Sequence, residues 1–170
     1  MQKNFSPNAT PAPRRVKHSR RQDVQGKEPI SALACPKCGA VFYKKRWQWN
    51  PDLLEKFEKD KDKHEICPAC KTTKKEEAEG VIHVAGFVSQ EQKEEILKLV
   101  KNVGERATKR DPLDRIFTWD DKEWETTVYT TENQLAVSIG KQIKRAYNGE
   151  LDIKWTHEGD VVRVVWKGWT

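Results

Sequence analysis

Hydrophobic and polar positions divide this chain into a polar N-terminal segment and two regions with folding patterns. In residues 1–28, three prolines and many polar side chains stand among very few aliphatic ones. Such a segment buries too little apolar surface to offset its ordering entropy, which predicts disorder. Short apolar runs at residues 41–43 and 53–57 predict one strand and one helix of a small first region. Longer periodic runs fill residues 80–170.

Residues 80–170 have the pattern of an α+β domain. After a strand at residues 80–86, Ser89 is positioned to cap a helix whose apolar side chains recur at helical spacing until Asp111-Pro112. Apolar positions at the same spacing predict a second helix over residues 132–147. The remaining strands are predicted at residues 115–119, 124–130, 151–155 and 161–167.

The order of these elements is β-α-β-β-α-β with one extra strand. This is the order of the ferredoxin-like arrangement, in which two helices cover one face of an antiparallel sheet. Four tryptophans fall at strand positions where a small sheet needs large side chains. We therefore expect Trp119, Trp124, Trp155 and Trp166 to be buried in the hydrophobic core.

All four cysteines of the chain fall in two Cys-Pro-x-Cys pairs, formed by Cys35, Cys38, Cys67 and Cys70. Two residues between cysteines allow a tight turn to direct both thiolates at one ion, and Gly39 stands where such a turn needs a positive φ. Four thiolates complete a tetrahedral Zn²⁺ site with no open position, which predicts one structural zinc ion. A secreted disulfide scaffold would scatter its cysteines, and no signal peptide is recognised, so a cytoplasmic location is expected.

The spacing between the two pairs indicates an insertion in the ribbon. It is 28 residues, longer than the roughly 15–20 of a minimal ribbon. We assign the excess to a charged helix that begins after Asn50-Pro51 and continues through Lys63. An iron site and two redox-active pairs are the alternatives to zinc. His64, three residues before Cys67, is either a ligand that displaces one of the cysteines or a solvated residue of the charged helix.

The net charge of +6 is concentrated at the N-terminus, where residues 1–34 carry +5 of it. A basic arm on a nearly neutral body favours an anionic partner, with nucleic acid first. A solubilising leader is the alternative interpretation. The candidate phosphate-contacting residues of the arm are Arg14, Arg15, Lys17, Arg20 and Arg21.

A second group of cations lies beside two indoles inside the ribbon, and comprises Lys44, Lys45, Arg46, Trp47 and Trp49. Cations beside aromatic rings are typical of a surface that binds phosphates and stacks on unpaired bases. In the alternative, both tryptophans pack on Leu53 and Phe57 and the lysines are merely solvated. Both interpretations fit the sequence.

Several function classes find no support in the sequence. No apolar stretch approaches the roughly 20 residues of a membrane span. No nucleophile–base pair, glycine-rich phosphate loop or open metal site is recognisable, so we expect neither an enzyme nor a small-molecule substrate.

The layout of the chain resembles that of a known family. Two cysteine pairs are followed by the strand at residues 126–129, the helix at residues 133–147 and the strand at residues 151–155. They are similar to the N-terminal half of the nonsense-mediated-decay-type adaptor that escorts large ribosomal subunits in eukaryotes, and to short bacterial zinc-ribbon proteins of the same layout. The adaptor family carries more cysteine pairs than the single complete site found here. The resemblance implies contact with the ribosome or ribosomal RNA.

The sequence therefore predicts a basic disordered arm (1–33), a four-cysteine zinc ribbon with an inserted helix (34–73), a linker (74–79) and a ferredoxin-like α+β domain (80–170). We expect a non-catalytic protein that binds the ribosome or structured RNA, as an assembly or translation-associated factor. A zinc-dependent protein–protein adaptor that does not bind nucleic acid is the alternative.

Overall fold

The structure, a computed structural model, describes residues 32–57, 61–156 and 160–169. Over these residues the chain is a mixed α+β fold with eight strands in two sheets and four helices. We call residues 32–78 the ribbon and residues 79–169 the sheet–helix region. Residues 1–31 of the predicted disordered arm lie outside the described residues, and so do its candidate phosphate contacts Arg14, Arg15, Lys17, Arg20 and Arg21. The last two residues of the predicted arm belong to the ribbon instead, because Ala32 is buried and Leu33 pairs with Phe42 in a strand.

The ribbon contains a three-stranded antiparallel sheet of β1 (Leu33–Ala34), β2 (Val41–Tyr43) and β3 (Arg46–Gln48), in that order. It also contains helices α1 (Pro51–Phe57) and α2 (Pro68–Lys71). As predicted, Asn50 caps α1: its Oδ1 accepts a hydrogen bond from the Leu53 backbone N–H at 3.0 Å.

The inserted helix is shorter than predicted. The sequence suggested a helix through Lys63, but α1 ends at Phe57 and a separate 3₁₀ turn spans Lys61–Lys63. Residues 58–63 contain no apolar side chain that could pack on the ribbon. A short charged segment without such contacts has little to keep it helical.

The sheet–helix region contains strands β4 (Gly80–Ala85), β5 (Ile116–Asp121), β6 (Glu125–Thr130), β7 (Gly149–Trp155) and β8 (Val162–Gly168). Helix α3 (Gln90–Arg110) follows β4, and helix α4 (Asn133–Ala146) follows β6. The predicted cap of α3 is confirmed, because Ser89 Oγ accepts from the Gln92 N–H at 3.2 Å.

The sheet has the order β5-β6-β4-β8-β7 and differs from the antiparallel sheet expected of a ferredoxin-like domain. The extra strand β8 lies between β4 and β7 and runs parallel to β4, with Ile82 opposite Val164. Strand β8 buries every second side chain, whereas β7 is mostly half-buried or exposed. The more apolar strand of this hairpin therefore takes the interior position, and β7 takes the edge.

One hydrophobic core lies between this sheet and its two helices. Side chains from the middle strands, such as Val84 and Val128, pack there against apolar side chains of α3 and α4, such as Val100 and Ile139. No described helix is long and apolar enough to cross a membrane.

The expectation that four tryptophans fill this core was wrong for three of them. Trp166 is fully buried, but 42% of Trp119, 52% of Trp124 and 47% of Trp155 is exposed. Trp119 and Trp155 lie on the two edge strands, where no further strand covers the ring. Trp124 lies in the turn between β5 and β6.

Candidate metal centre and adjoining basic cleft

The Sγ atoms of Cys35, Cys38, Cys67 and Cys70 all lie within 4.8 Å of one another, and the four could hold a metal ion. All four thiols are free. The Cys38 and Cys67 sulfurs are 3.7 Å apart. Thiolates at ~2.3 Å from a tetrahedral zinc ion would be about 3.8 Å from each other, so this spacing fits such an ion.

Local backbone geometry places each pair of cysteines. In the first, the Gly39 N–H donates to Cys35 O and the Cys35 N–H donates to Ala40 O, both at 2.8 Å, and Gly39 has the predicted positive φ of 78°. In the second, Cys67 precedes α2 and its carbonyl accepts from the Cys70 N–H at 3.0 Å. Both turns direct two sulfurs toward the same point.

The environment of the sulfurs disfavours a metal-free cluster of thiolates. Burial raises the pKa of the Cys67 thiol, and burial also raises the pKa of Cys70. Burial acts in the same direction on Cys35, but hydrogen bonds from nearby backbone N–H groups, first that of Cys67, more than offset it and lower its pKa to about 7. Metal binding must therefore displace protons from the site.

Arg115, from the sheet–helix region, also contacts the four-cysteine group. Its Nη1 donates to Cys70 Sγ at 3.5 Å, while its Nε donates to Pro112 O at 2.7 Å. Leu113 packs against the cysteine cluster from the same segment. Sequence reasoning missed Arg115, because it lies 45 residues from Cys70 and belongs to no motif.

The structure separates His64 from the four-cysteine group. Its Nε2 lies 3.2 Å from the carbonyl oxygen of Phe57, and its backbone forms an isolated bridge with Ala34. The interpretation of His64 as a replacement ligand finds no support in this arrangement.

The candidate nucleic-acid residues of the ribbon lie on one hairpin. Lys44 and Lys45 form the two-residue turn between β2 and β3, with positive φ angles of 51° and 66°. Both lysines and Arg46 are exposed. The hairpin therefore presents three cations to solvent at its tip.

The two indoles have separate surroundings, and Trp47 belongs to the cysteine cluster rather than to the cluster of Leu53 and Phe57. Trp47 is half-buried, stacks obliquely on Phe42 with ring centroids 5.6 Å apart, and packs on the cysteine cluster. Trp49 remains 38% exposed, and its Nε1 donates to the carbonyl of Thr108 in α3 at 2.7 Å.

A cleft of about 540 Å³ lies between this hairpin and the C-terminal end of α3, and we call it the basic cleft. Its lining combines four cations with three aromatic rings and one carboxylate. The lining residues are Phe42, Lys45, Arg46, Trp47, Gln48, Trp49, Lys109, Arg110, Asp111 and Leu113. The last two cations come from a helix that sequence reasoning had not connected with the ribbon.

Comparison with protein-family models, with curated proteins and with solved structures gives no match. The resemblance to the ribosomal-subunit adaptor family therefore stays a prediction.

Proposed function

We propose that this chain is a non-catalytic, zinc-stabilised protein that binds structured RNA, with the ribosome as its principal partner. The observation that carries the proposal is the composition of the basic cleft. Lys45 and Arg46 of the ribbon and Lys109 and Arg110 of α3 stand around exposed aromatic surface, with Asp111 as the one carboxylate of its lining. Cations supply phosphate contacts, and rings supply stacking on unpaired bases.

Zinc is the metal we assign to the four cysteines. Thiolates favour zinc and iron–sulfur chemistry, and a site closed by four protein ligands leaves no position for a reacting water. The ion would then hold the β2–β3 hairpin in place beside α3 and would take no part in chemistry.

The hairpin turn supports a role for its lysines beyond folding. A two-residue turn with positive φ at both positions is most easily formed by Asn-Gly, because other side chains are strained there. Lys44 and Lys45 occupy it with φ angles of 51° and 66°. A residue type that is strained in its backbone conformation is expected at a position where its side chain is needed for binding.

The turn provides a sharp test of the proposal. Replacing Lys44-Lys45 by Asn-Gly should raise the free energy of unfolding by about 1 kcal/mol. It should also weaken RNA binding and reduce the slope of log affinity against log salt by roughly 1.4–1.8, as expected for two lost phosphate contacts. A turn of Arg-Arg is the matched control and should keep the affinity. A more stable variant with unchanged RNA affinity would contradict the proposal.

The association with ribosomes has its own experiment. The tagged full-length chain is sedimented through a sucrose gradient with and without RNase. Co-migration with a ribosomal subunit that RNase abolishes supports the proposal. Co-migration with protein complexes that survives both RNase and high salt would instead support the protein–protein adaptor. The exposed rings of Trp119 and Trp155 on the sheet edges are the observation in favour of that second candidate.

A further inference from the structure

A second, more apolar groove lies along the C-terminal turns of α3, between that helix and edge strand β5. We call it the apolar groove. It has a volume of about 480 Å³, and its lining residues are Lys101, Gly104, Glu105, Thr108, Lys109, Ile116, Phe117, Thr118 and Trp119. A space of this size with mostly apolar walls falls within the range of ligand pockets.

The close approach of α3 and β5 forms the floor of the groove. Gly104 allows it, since a Cβ placed on Gly104 would lie only 2.6 Å from Ile116 Cδ1. The Trp119 ring stands beside this floor on the edge strand, with 42% of its surface exposed. The hydrophobic core contains Trp166 but not Trp119, so this ring is not needed to fill the core.

The apolar groove and the basic cleft share a wall. Lys109 lines both of them. Thr108 lines the groove, and its carbonyl holds the Trp49 indole of the cleft through the 2.7 Å hydrogen bond. The rim of the groove carries Lys101 and Lys109 against one carboxylate, Glu105. An occupant that enters from the cleft would therefore be a flat apolar group attached to an anionic chain.

We propose that the apolar groove receives an unpaired base of an RNA strand whose phosphates lie in the basic cleft, and that the base stacks on Trp119. This rests on the proposed RNA-binding function and adds to it the preference for single-stranded or loop nucleotides. Aromatic rings accept any base because every base has a stacking face, so the groove selects for lack of pairing rather than for sequence.

The test compares Trp119→Ala with Trp155→Ala, a change of an equally exposed tryptophan on the opposite edge strand. Affinity of the full-length chain is measured for an RNA hairpin with a single-stranded loop and for a fully paired duplex of equal length, and melting temperature is measured on the same samples. Trp119→Ala should weaken hairpin binding by roughly 5- to 150-fold and duplex binding much less. Trp155→Ala should change neither, and Trp119→Phe should retain most of the hairpin affinity.

A scan of abasic positions in the loop sharpens the result. One position should lower the affinity of the wild-type chain and have little further effect in Trp119→Ala, because the ring and the base form one contact. Equal effects of Trp119→Ala and Trp155→Ala on hairpin affinity, with binding still dependent on Lys45 and Arg46, would overturn the proposal that a base binds in the apolar groove. The proposed RNA-binding function would then remain. No binding of either RNA by the wild-type chain would overturn both. A Trp119→Ala variant that loses a protein partner but no RNA affinity would identify the groove as a peptide site and overturn the inference.

Discussion

The sheet–helix region encloses fifteen buried side chains in one core. The hydrophobic clusters of the ribbon are smaller, with four and three buried residues among those that the structure describes. Two of the four in the first ribbon cluster are Cys35 and Cys67, which belong to the candidate metal site. A hydrophobic core of many side chains can fold a domain alone, but clusters this small cannot offset the ordering entropy of about 45 residues. We therefore expect a bound metal to stabilise the ribbon, and burial of apolar side chains to stabilise the sheet–helix region.

The two regions nevertheless meet through specific contacts. Trp49 donates to Thr108 and Arg115 donates to Cys70. The basic cleft is formed by both regions, so it requires both to be folded. Predictions that separate the two sources of stability therefore also test whether the cleft is the binding surface.

The largest expected effect comes from losing a metal ligand. Cys67→Ser should unfold the ribbon, because the free energy of binding a structural zinc ion, about 10–16 kcal/mol in small zinc domains, is also folding free energy. Hydrogen exchange should show loss of protection in β2 and β3 with retained protection in β4 and β8. The exposed neighbouring change Thr73→Ser is the control. Loss of protection throughout the chain would show that the regions are not independent.

The second prediction removes packing from the hydrophobic core of the sheet–helix region instead of a metal ligand from the ribbon. Ile139 is fully buried between α4 and the sheet, so Ile139→Ala should cost about 2–5 kcal/mol of unfolding free energy. Val165→Ala, on the uncovered face of the same sheet with 39% exposure, should cost below about 0.5 kcal/mol. Elemental analysis should find an unchanged metal content per chain in both variants. Metal loss in Ile139→Ala would contradict separate stabilisation.

Arg115 tests the coupling between the two regions. Arg115→Ala should lower metal affinity by roughly 10- to 100-fold, the usual effect of removing a hydrogen bond to a ligand. Arg115→Lys keeps the charge but not the simultaneous bonds to Pro112 O and Cys70 Sγ, so it should recover only part of the affinity. Competition with a chromophoric chelator measures both. Equal metal affinities for all three proteins would show that Arg115 does not act on the site.

A smaller and pH-dependent effect belongs to Glu132, which precedes α4. Burial raises its pKa to about 7, with a further contribution from the carboxylates of Glu79, Asp114 and Asp111. A carboxyl whose folded pKa exceeds its unfolded value of about 4.3 contributes stability that is fully present below that unfolded pKa and is lost as the pH rises through the folded pKa. Glu132→Gln should therefore change little at pH 4, gain stability over the wild-type chain as the pH rises to 7, and level off above it at about 1–2 kcal/mol once solvent screening of this partly exposed group is allowed for.

Thermal melts between pH 4 and pH 8 measure this difference between Glu132→Gln and the wild-type chain. Glu94→Gln, on the exposed side of α3, is the control. A stability difference that does not grow with pH would show that the carboxyl cluster is not the cause.

Features with a local cause were predictable from the sequence. The Asn50 and Ser89 caps, the positive φ of Gly39 and the approach of the two cysteine pairs each depend on residues within a few positions or on a known ligand spacing. The 3₁₀ turn at Lys61–Lys63 was missed, because mixed charges fit a helix pattern even where no apolar side chain supports a helix.

Features that depend on distant contacts were not predictable. The alternation of β8 identifies a strand but not its parallel partner β4, so the sheet order was missed. Trp119 and Trp166 look alike in sequence, yet one lies on an edge strand and the other on an interior strand. The contribution of Lys109 and Arg110 to the basic cleft depends on how α3 packs against the ribbon, and no sequence motif indicates that packing.

Binding of RNA in the basic cleft is tested most directly by measuring RNA affinity at several salt concentrations for two variants of equal charge. One replaces the four cations of the basic cleft, Lys45, Arg46, Lys109 and Arg110, by alanine. The other replaces four exposed cations elsewhere: Lys56, Lys98, Lys141 and Arg145. The cleft variant should reduce the slope of log affinity against log salt by roughly 3, while the second variant should keep nearly the wild-type slope. Equal slopes for the two variants, or a larger loss in the second, would contradict binding in the cleft.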